Sequence, residues 1–274
     1  MLQISELFIY HIKSLGGIAL NHAVVTERGF EHDRRWMLVD ENNRFLSQRE
    51  VAQMALLKVY LKDNGLHVTY ATGENILIPF KPLTHESCEV VIWDDTCTAL
   101  YVSNAVDDWF TKILGMTCRL VYMPDNSKRQ VDQEYAPTGQ ITSFSDAYPF
   151  MLLGQATLDD LNNRLAESLP MDRFRPNIVF TGGKAFEEDL LDSFTIGSIH
   201  FNGVKLCARC ILTTINQDNA IKAKEPLKTL AGYRRKNNKI YFGQNLIHMG
   251  NGTIAIGDKI EVINYHHNNE KFLV

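Results

Sequence analysis

Lys205-Leu206-Cys207-Ala208-Arg209-Cys210-Ile211-Leu212-Thr213-Thr214-Ile215 sets two thiols three positions apart, with an arginine between them, and runs on into apolar and β-branched residues. Three chemistries compete for such a pair: a dithiol redox couple, half of a zinc site, or a single thiolate offered to a soft metal. A thioredoxin-like couple places its first thiol at a helix N-terminus, where the dipole lowers the thiol pKa; here the following residues predict a strand. Structural zinc takes four ligands, usually from two such pairs, and the other cysteines, Cys88, Cys97 and Cys118, are scattered. The bland reading is a buried, inert pair. Arg209 argues against it, because a neighbouring guanidinium stabilises a thiolate.

Outward from this stretch, 274 residues suffice for one large or two modest domains. A hydrophobic content of 45% and a charged content of 22% are ordinary for a globular chain. The formal net charge of −4 implies no general attraction to nucleic acid or to an anionic membrane. Five irregularly spaced cysteines do not make a secretory disulfide framework. The first residues, Met1 to Glu6, lack the basic segment and long apolar run of a signal peptide, and no apolar stretch is long enough to span a bilayer. A cytoplasmic protein in a reducing compartment is expected.

Leu7-Phe8-Ile9-Tyr10-His11-Ile12 is a short apolar strand that delivers Lys13 and Ser14 to a Gly16-Gly17 turn, an arrangement able to grip an anion. Asp33-Arg34 reads equally as a surface ion pair or as a phosphate-binding guanidinium steadied by a carboxylate. From Met37 to Val102 strand follows strand, with turns at Asp40 to Asn43 and at Asp63-Asn64-Gly65, which suggests an antiparallel barrel or sandwich. Ser103 predicts an N-cap, with Val106, Trp109, Phe110, Ile113 and Leu114 on one core-facing helical stripe. Residues 124–138 are polar and read as a linker or loop.

Beyond it, Ser145 and Asp146 precede the strand Phe150-Met151-Leu152-Leu153, and Thr157-Leu158-Asp159-Asp160 reads as a capping box. Pro176 breaks any helix, so Arg175 and Asn177 sit at the mouth of a strand. Glu187-Glu188-Asp189 reads as a solvated acidic face. Pro226 opens a short helix continuing to Tyr233, Phe242 to Leu246 enter a strand, and Ile254 to Val262 read as a closing hairpin.

Taken in order, Phe8 to Ser14, Asp33-Arg34, Phe144-Ser145-Asp146, Phe174-Arg175-Pro176-Asn177, Cys207-Ala208-Arg209-Cys210 with Thr213-Thr214, Glu225-Pro226-Leu227 and Phe242-Gly243-Gln244-Asn245 resemble the MOSC family over nearly the whole chain. The branch is that of the amidoxime-reducing components and their bacterial relatives that reduce N-hydroxylated compounds. The resemblance implies a mainly β (α+β) chain. A β-barrel-like N-terminal domain would span 1–123, residues 124–138 the connection and 139–265 a MOSC β-barrel domain with a few peripheral helices, leaving 266–274 as a tail. It implies a molybdenum–molybdopterin cofactor with Cys210 as metal ligand and catalytic residue, and Cys207 as structural. Contacts to the pterin and its phosphate would come from Lys13, Ser14, Arg34, Ser145, Asp146, Arg175, Asn177, Ala208, Arg209 and Asn245. Three positions depart from relatives: Ala208 replaces a serine, Asn245 a tyrosine and His11 a proline. The loop after Thr214 reads Asn216-Gln217-Asp218-Asn219, where the family often has an acidic, glycine-containing turn.

The side-chain chemistry agrees with that implication. A soft metal in a dithiolene accepts a further thiolate, scattered cations can converge on a phosphate, and serine, aspartate and asparagine can meet the edges of a heterocycle. The expected activity is reduction of N-hydroxylated substrates, giving an amine or amidine and water, in a shallow, open site. No further cysteine cluster suited to an iron–sulfur centre precedes Val274, so a separate flavoprotein, ferredoxin or cytochrome is expected to bring electrons. The alternatives are a carrier of the cofactor or of sulfur without turnover, and a thiol–disulfide protein using Cys207 and Cys210.

Overall fold

Long apolar strands in residues 150–265 assemble, with two strands from the N-terminus, into a nine-stranded sheet in the computed structural model, which describes residues 1–266 and 270–274. The expected tail over 266–274 therefore includes residues 267–269, which lie outside the described residues. The sheet runs Ile18–Leu20, Gln3–Ile9, Ile178–Thr181, Phe150–Gly154, Lys239–Met249, Ile199–Ala208, Leu191–Ile196, Ile260–Tyr265, with Arg235–Lys236 added beside Lys239. It curls until its ends approach each other: Gln3 bridges to Lys259, and the Ile4 amide donates to the Asp258 carbonyl at 2.9 Å.

Phe150–Gly154 and Ile178–Thr181 pair in parallel while the other ladders of this sheet are antiparallel. A parallel pair needs a crossover, and helix α2 (Gln155–Asn162) lies within it. Successive side chains of a strand face opposite ways. Accordingly Phe150 and Leu152 enter one core with Ile4, Phe180 and Phe201, while Met151 and Leu153 enter another with Leu158, Leu161, Phe174 and Phe242. Leu7 pairs with Ile178 and Leu152 pairs with Ile178 from the other side. The exit of the first strand and the entrances of the other two therefore lie together.

The remaining N-terminal strands form a four-stranded sheet (Trp36–Val39, Arg119–Tyr122, Asp95–Tyr101, Ser87–Ile92) and a meander (Lys58–Lys62, Gly65–Thr69, Asn75–Pro79). Helix α1 (Asn104–Leu114) seals them with Val106, Phe110 and Leu114 against Trp36, Leu66 and Ile78. The chain is mainly β, as expected, and its two parts are interleaved. The first two strands join the sheet of residues 150–265, and His22–Thr26 pairs with Gly252–Ala255.

Several local expectations are corrected. The strand, Ile199–Ala208, contains Cys207 and ends before Cys210, and Ile211–Thr214 winds into one 3-10 turn with Cys210 at its N-cap. The final segment is no hairpin: Gly252–Ala255 and Ile260–Tyr265 pair in different sheets. Thr157 does not cap a helix; it lies inside α2 and donates to Glu188 at 2.8 Å. Nor is the acidic run solvated. Glu188 and Asp189 are buried, Arg234 donates to Asp189, and burial pushes both carboxyls above the usual carboxylate range.

Gly65 is needed for close approach, since a Cβ there would stand 2.2 Å from the Ile78 carbonyl oxygen. Gly65→Ala should cost roughly 1–3 kcal/mol by overpacking, read as a lowered urea midpoint with unchanged slope.

Candidate functional site

All eleven positions implied by the resemblance line one open cleft with an empty volume of about 750 Å³: Lys13, Ser14, Arg34, Ser145, Asp146, Arg175, Asn177, Ala208, Arg209, Cys210 and Asn245. Strand order explains the convergence. The first strand carries the chain out to Lys13 and Ser14, the approach to Phe150 brings Ser145 and Asp146, and the approach to Ile178 brings Arg175 and Asn177. Ala208 ends the long strand paired with Lys239–Met249, which also carries Asn245.

Three of these residues hold left-handed backbone conformations, Ser14 at φ 67°, Arg34 at φ 47° and Arg175 at φ 55°. Such conformations are uncommon outside glycine and cluster where surrounding structure and function over-determine them. The buried Asp33 carboxylate accepts from the Tyr10 amide at 2.8 Å, from the Asn177 side-chain amide at 3.2 Å, and from Arg34 in an ion pair. Arg34 also donates to Asn177 Oδ1 at 3.0 Å.

Asn177 is spent in this network. Its Nδ2 donates to the Phe8 carbonyl and to Asp33, and its Oδ1 accepts from Arg34 and from the Met151 amide. With two donors and two lone pairs engaged, it positions neighbours and has nothing left for a ligand.

Arg209 is largely committed too: Nη2 donates to the Phe174 carbonyl at 2.6 Å and Nη1 to the Cys207 sulfur at 3.0 Å, leaving Nε without a partner among the described residues. Arg175 differs. Its guanidinium lies 4.1 Å from the centre of the Tyr10 ring and donates to no protein acceptor among the described residues. Burial holds its pKa down to about 10.

Lys13 is buried and donates to the Phe144 carbonyl at 2.9 Å and to Asp146 at 2.5 Å. Burial lowers its pKa to about 8, with Asp146 opposing the shift. For Asp146, desolvation works upward, but Lys13 and Arg34 outweigh it and hold the carboxyl well below its usual range. The Asp146 side chain is still 71% exposed, so water reaches the pair at the cleft mouth.

Cys207 and Cys210 are both free, Cys207 half-buried and Cys210 exposed. Among the described residues no three His, Cys, Asp or Glu side chains gather as a metal site, so zinc finds no ligand set. The Cys210 turn is fastened by Thr213, whose hydroxyl donates back to the Cys210 carbonyl, and by buried Arg173, which donates to the Thr213 carbonyl at 3.0 Å. The loop that follows is tied to the N-terminal part. Gln217 and Gln48 exchange reciprocal amide hydrogen bonds at 2.9 and 3.0 Å, and Gln48 also donates to the Ser14 carbonyl.

Two supporting residues were not singled out in the sequence. Arg129, in the polar segment, is buried and donates to the carbonyls of Ser143, Ser145 and Asp146 while pairing with Asp95. Arg173 resembled any helix-breaking flank. Nothing in a single sequence distinguishes such arginines from solvated ones, because their acceptors are backbone carbonyls far along the chain.

Comparison with known proteins decides the family. A MOSC N-terminal beta barrel domain matches residues 1–117 and a MOSC domain matches residues 139–261. Mitochondrial amidoxime-reducing component 1 of Homo sapiens is 30% identical over 95% of this chain and 82% of its own length. The chain belongs to the MOSC family of amidoxime-reducing components. Within that family, mitochondrial amidoxime reducing component 2 of Bos taurus is 33% identical over 84% of this chain and 72% of its own. The molybdenum cofactor sulfurase of Oryza sativa subsp. japonica is 28% identical over 93% of this chain, which corresponds to 34% of that protein.

Arg129→Met would strand three carbonyls, while the half-exposed Asp95 carboxylate could turn to water. Leaving those acceptors unsatisfied should cost roughly 3 kcal/mol and weaken anion binding at the 143–146 loop, measurable by urea unfolding and phosphate titration. Lys13 carries its charge below pH about 8 and loses it above, whereas a phosphate monoester is already dianionic there. Affinity of the cofactor-free protein for a phosphate monoester should therefore fall several-fold between pH 7 and 9.5 in calorimetry, and a flat profile would remove Lys13 from the anion-binding set.

Proposed function

We propose that this cleft binds a molybdenum–pterin cofactor through the Cys210 thiol and reduces N-hydroxylated compounds with electrons from a separate protein. The observation that carries the reading is the combination of an exposed, unbonded thiol at Cys210 with an Arg175 guanidinium that has no protein acceptor, in the same cleft. The donor set suits the group: a thiolate for a soft metal, and Lys13, Arg34 and Arg175 for a phosphate.

In this reading Cys210 holds the metal and Arg173 keeps its turn still. Arg175 and Lys13 neutralise the phosphate, while Arg34 stays oriented by Asp33 and Asn177. Ser14, Ser145, Ala208 and Asn245 line the walls, where Ala208 offers only backbone groups, and Arg209 contributes its charge. Cys207 serves structure, as acceptor for Arg209. When bound, the molybdenum centre supplies a two-electron reduction in which the N–O bond breaks, two protons are taken up, and water leaves. The open cleft fits small amidoximes, hydroxylamines and N-hydroxylated bases better than one narrowly selected substrate.

The names of the amidoxime-reducing relatives support the reductase, and the sulfurase match supports a second reading, a carrier of cofactor or sulfur. Steady turnover of an N-hydroxylated substrate with an artificial donor distinguishes the first from the second, which gives stoichiometric transfer. Among the described residues no helix is long and apolar enough to cross a membrane. All five cysteines are free, which supports a reducing compartment and, as a proposal, the cytoplasm.

Elemental analysis of the purified protein should find molybdenum near one equivalent, at least tenfold less in Cys210→Ala, and nearly the wild-type amount in Cys207→Ser. A normal metal content in Cys210→Ala would show that another group is the ligand.

A further inference from the structure

Tyr10 has no place in the chemistry above, yet it lies under both cleft arginines. Its ring is buried, and the guanidinium carbons of Arg34 and Arg175 stand 4.4 and 4.1 Å from the ring centre. Those arginines are 141 positions apart in sequence, carry like charges and repel one another. Arg34 is steadied by Asp33 and Asn177. Arg175 has no protein hydrogen-bond acceptor for its guanidinium among the described residues, so the aromatic face is its main fixed neighbour.

The backbone around the ring is fixed just as firmly. The Tyr10 amide donates to Asp33, its carbonyl accepts from the Arg34 amide at 2.8 Å, and its hydroxyl donates to the Pro176 carbonyl at 3.1 Å, next to Arg175. A Cβ on Gly17 would stand 2.4 Å from the ring edge, so the ring also has little room to swing that way.

We infer that Tyr10 is a positioning residue that gathers the two arginines into one anion-binding fork, acting through the electron-rich face of its ring and not through its hydroxyl. A cation over an aromatic face is attracted by the ring quadrupole, more strongly where water is excluded. One ring can therefore hold two guanidiniums at one cleft and leave the charge of Arg175 unneutralised, which a carboxylate beside it, such as Asp33 beside Arg34, would not do. The donors of Arg175, and those of Arg34 that Asp33 and Asn177 do not take, then remain for an oxyanion. The inference rests on the proposed function only for the identity of that anion as the phosphate of a pterin cofactor.

The test separates ring electronics from packing. Cofactor-free wild type, Tyr10→Phe, Tyr10→Leu and a protein carrying pentafluorophenylalanine at position 10 are titrated with inorganic phosphate at pH 7, with circular dichroism confirming the fold of each. Tyr10→Phe should bind within twofold of wild type. The leucine and fluorinated proteins should bind about tenfold more weakly, because the aromatic face that holds both guanidiniums is lost or inverted in charge. If leucine prevents folding, the fluorinated ring keeps the shape and still decides the matter.

Equal binding by the fluorinated and phenylalanine proteins would overturn the inference, as would a loss in Tyr10→Phe equal to that of the fluorinated protein, or no binding by wild type. Molybdenum content of protein isolated from cells is measured alongside. Metal-free wild type that nonetheless shows the phosphate pattern would defeat the cofactor reading and leave the Tyr10 inference standing. Metal-loaded wild type without that pattern would do the reverse.

Discussion

A buried carboxylate with three partners is the constraint on which the cleft depends. Asp33 is 2% exposed, and an isolated charge at that depth would be costly. It is tolerated because Arg34, the Asn177 amide and the Tyr10 amide all meet it. Those partners come from the first strand's exit, the following loop and the entrance to Ile178–Thr181. Removing any one would leave a buried polar group unsatisfied. The network therefore joins the two parts of the chain at the floor of the cleft, and Arg34, one of its members, holds a left-handed backbone conformation.

The cations divide by what already occupies them. Arg129 and Arg173 are bound to backbone carbonyls, and Arg209 to one carbonyl and the Cys207 sulfur, and all three serve as internal struts. Lys13 is held by one carbonyl and one partly solvated carboxylate. Arg175 stands apart with unengaged donors. This gradation, more than the number of positive residues, gives the cleft its capacity for an anion. It also explains why a chain with a net charge of −4 can present a locally basic hollow.

Much of this was legible in the sequence. The mainly β architecture follows from strand-length apolar runs and turn residues, and helix α1 from a stripe of Val106, Phe110 and Leu114. The cleft residues were legible as a set only through resemblance. No local pattern says that Lys13 and Asp146, 133 positions apart, will form an ion pair. Misread segments share a cause, which is tertiary partners overriding local preference. Glu188-Asp189 looked solvated because acidic runs usually are, but Thr157 and Arg234 supply buried partners. Ile211–Thr214 looked like a strand from its β-branching, yet the two threonine hydroxyls donate to the carbonyls of Cys210 and Ile211, and the segment turns. Asn177 looked like a recognition residue and is an internal brace.

The reciprocal amides of Gln48 and Gln217 have a consequence for how the molecule responds to its surroundings. Neither side chain titrates and neither carries charge, so this buried seam is indifferent to acidity and to dissolved ions over the range where proteins survive. Changes of medium that empty or fill the basic hollow should leave this seam fastened. Unlike the Asp33 network, it shares no charged group with the hollow, and the loop behind the exposed thiol stays in register whether or not anything is held.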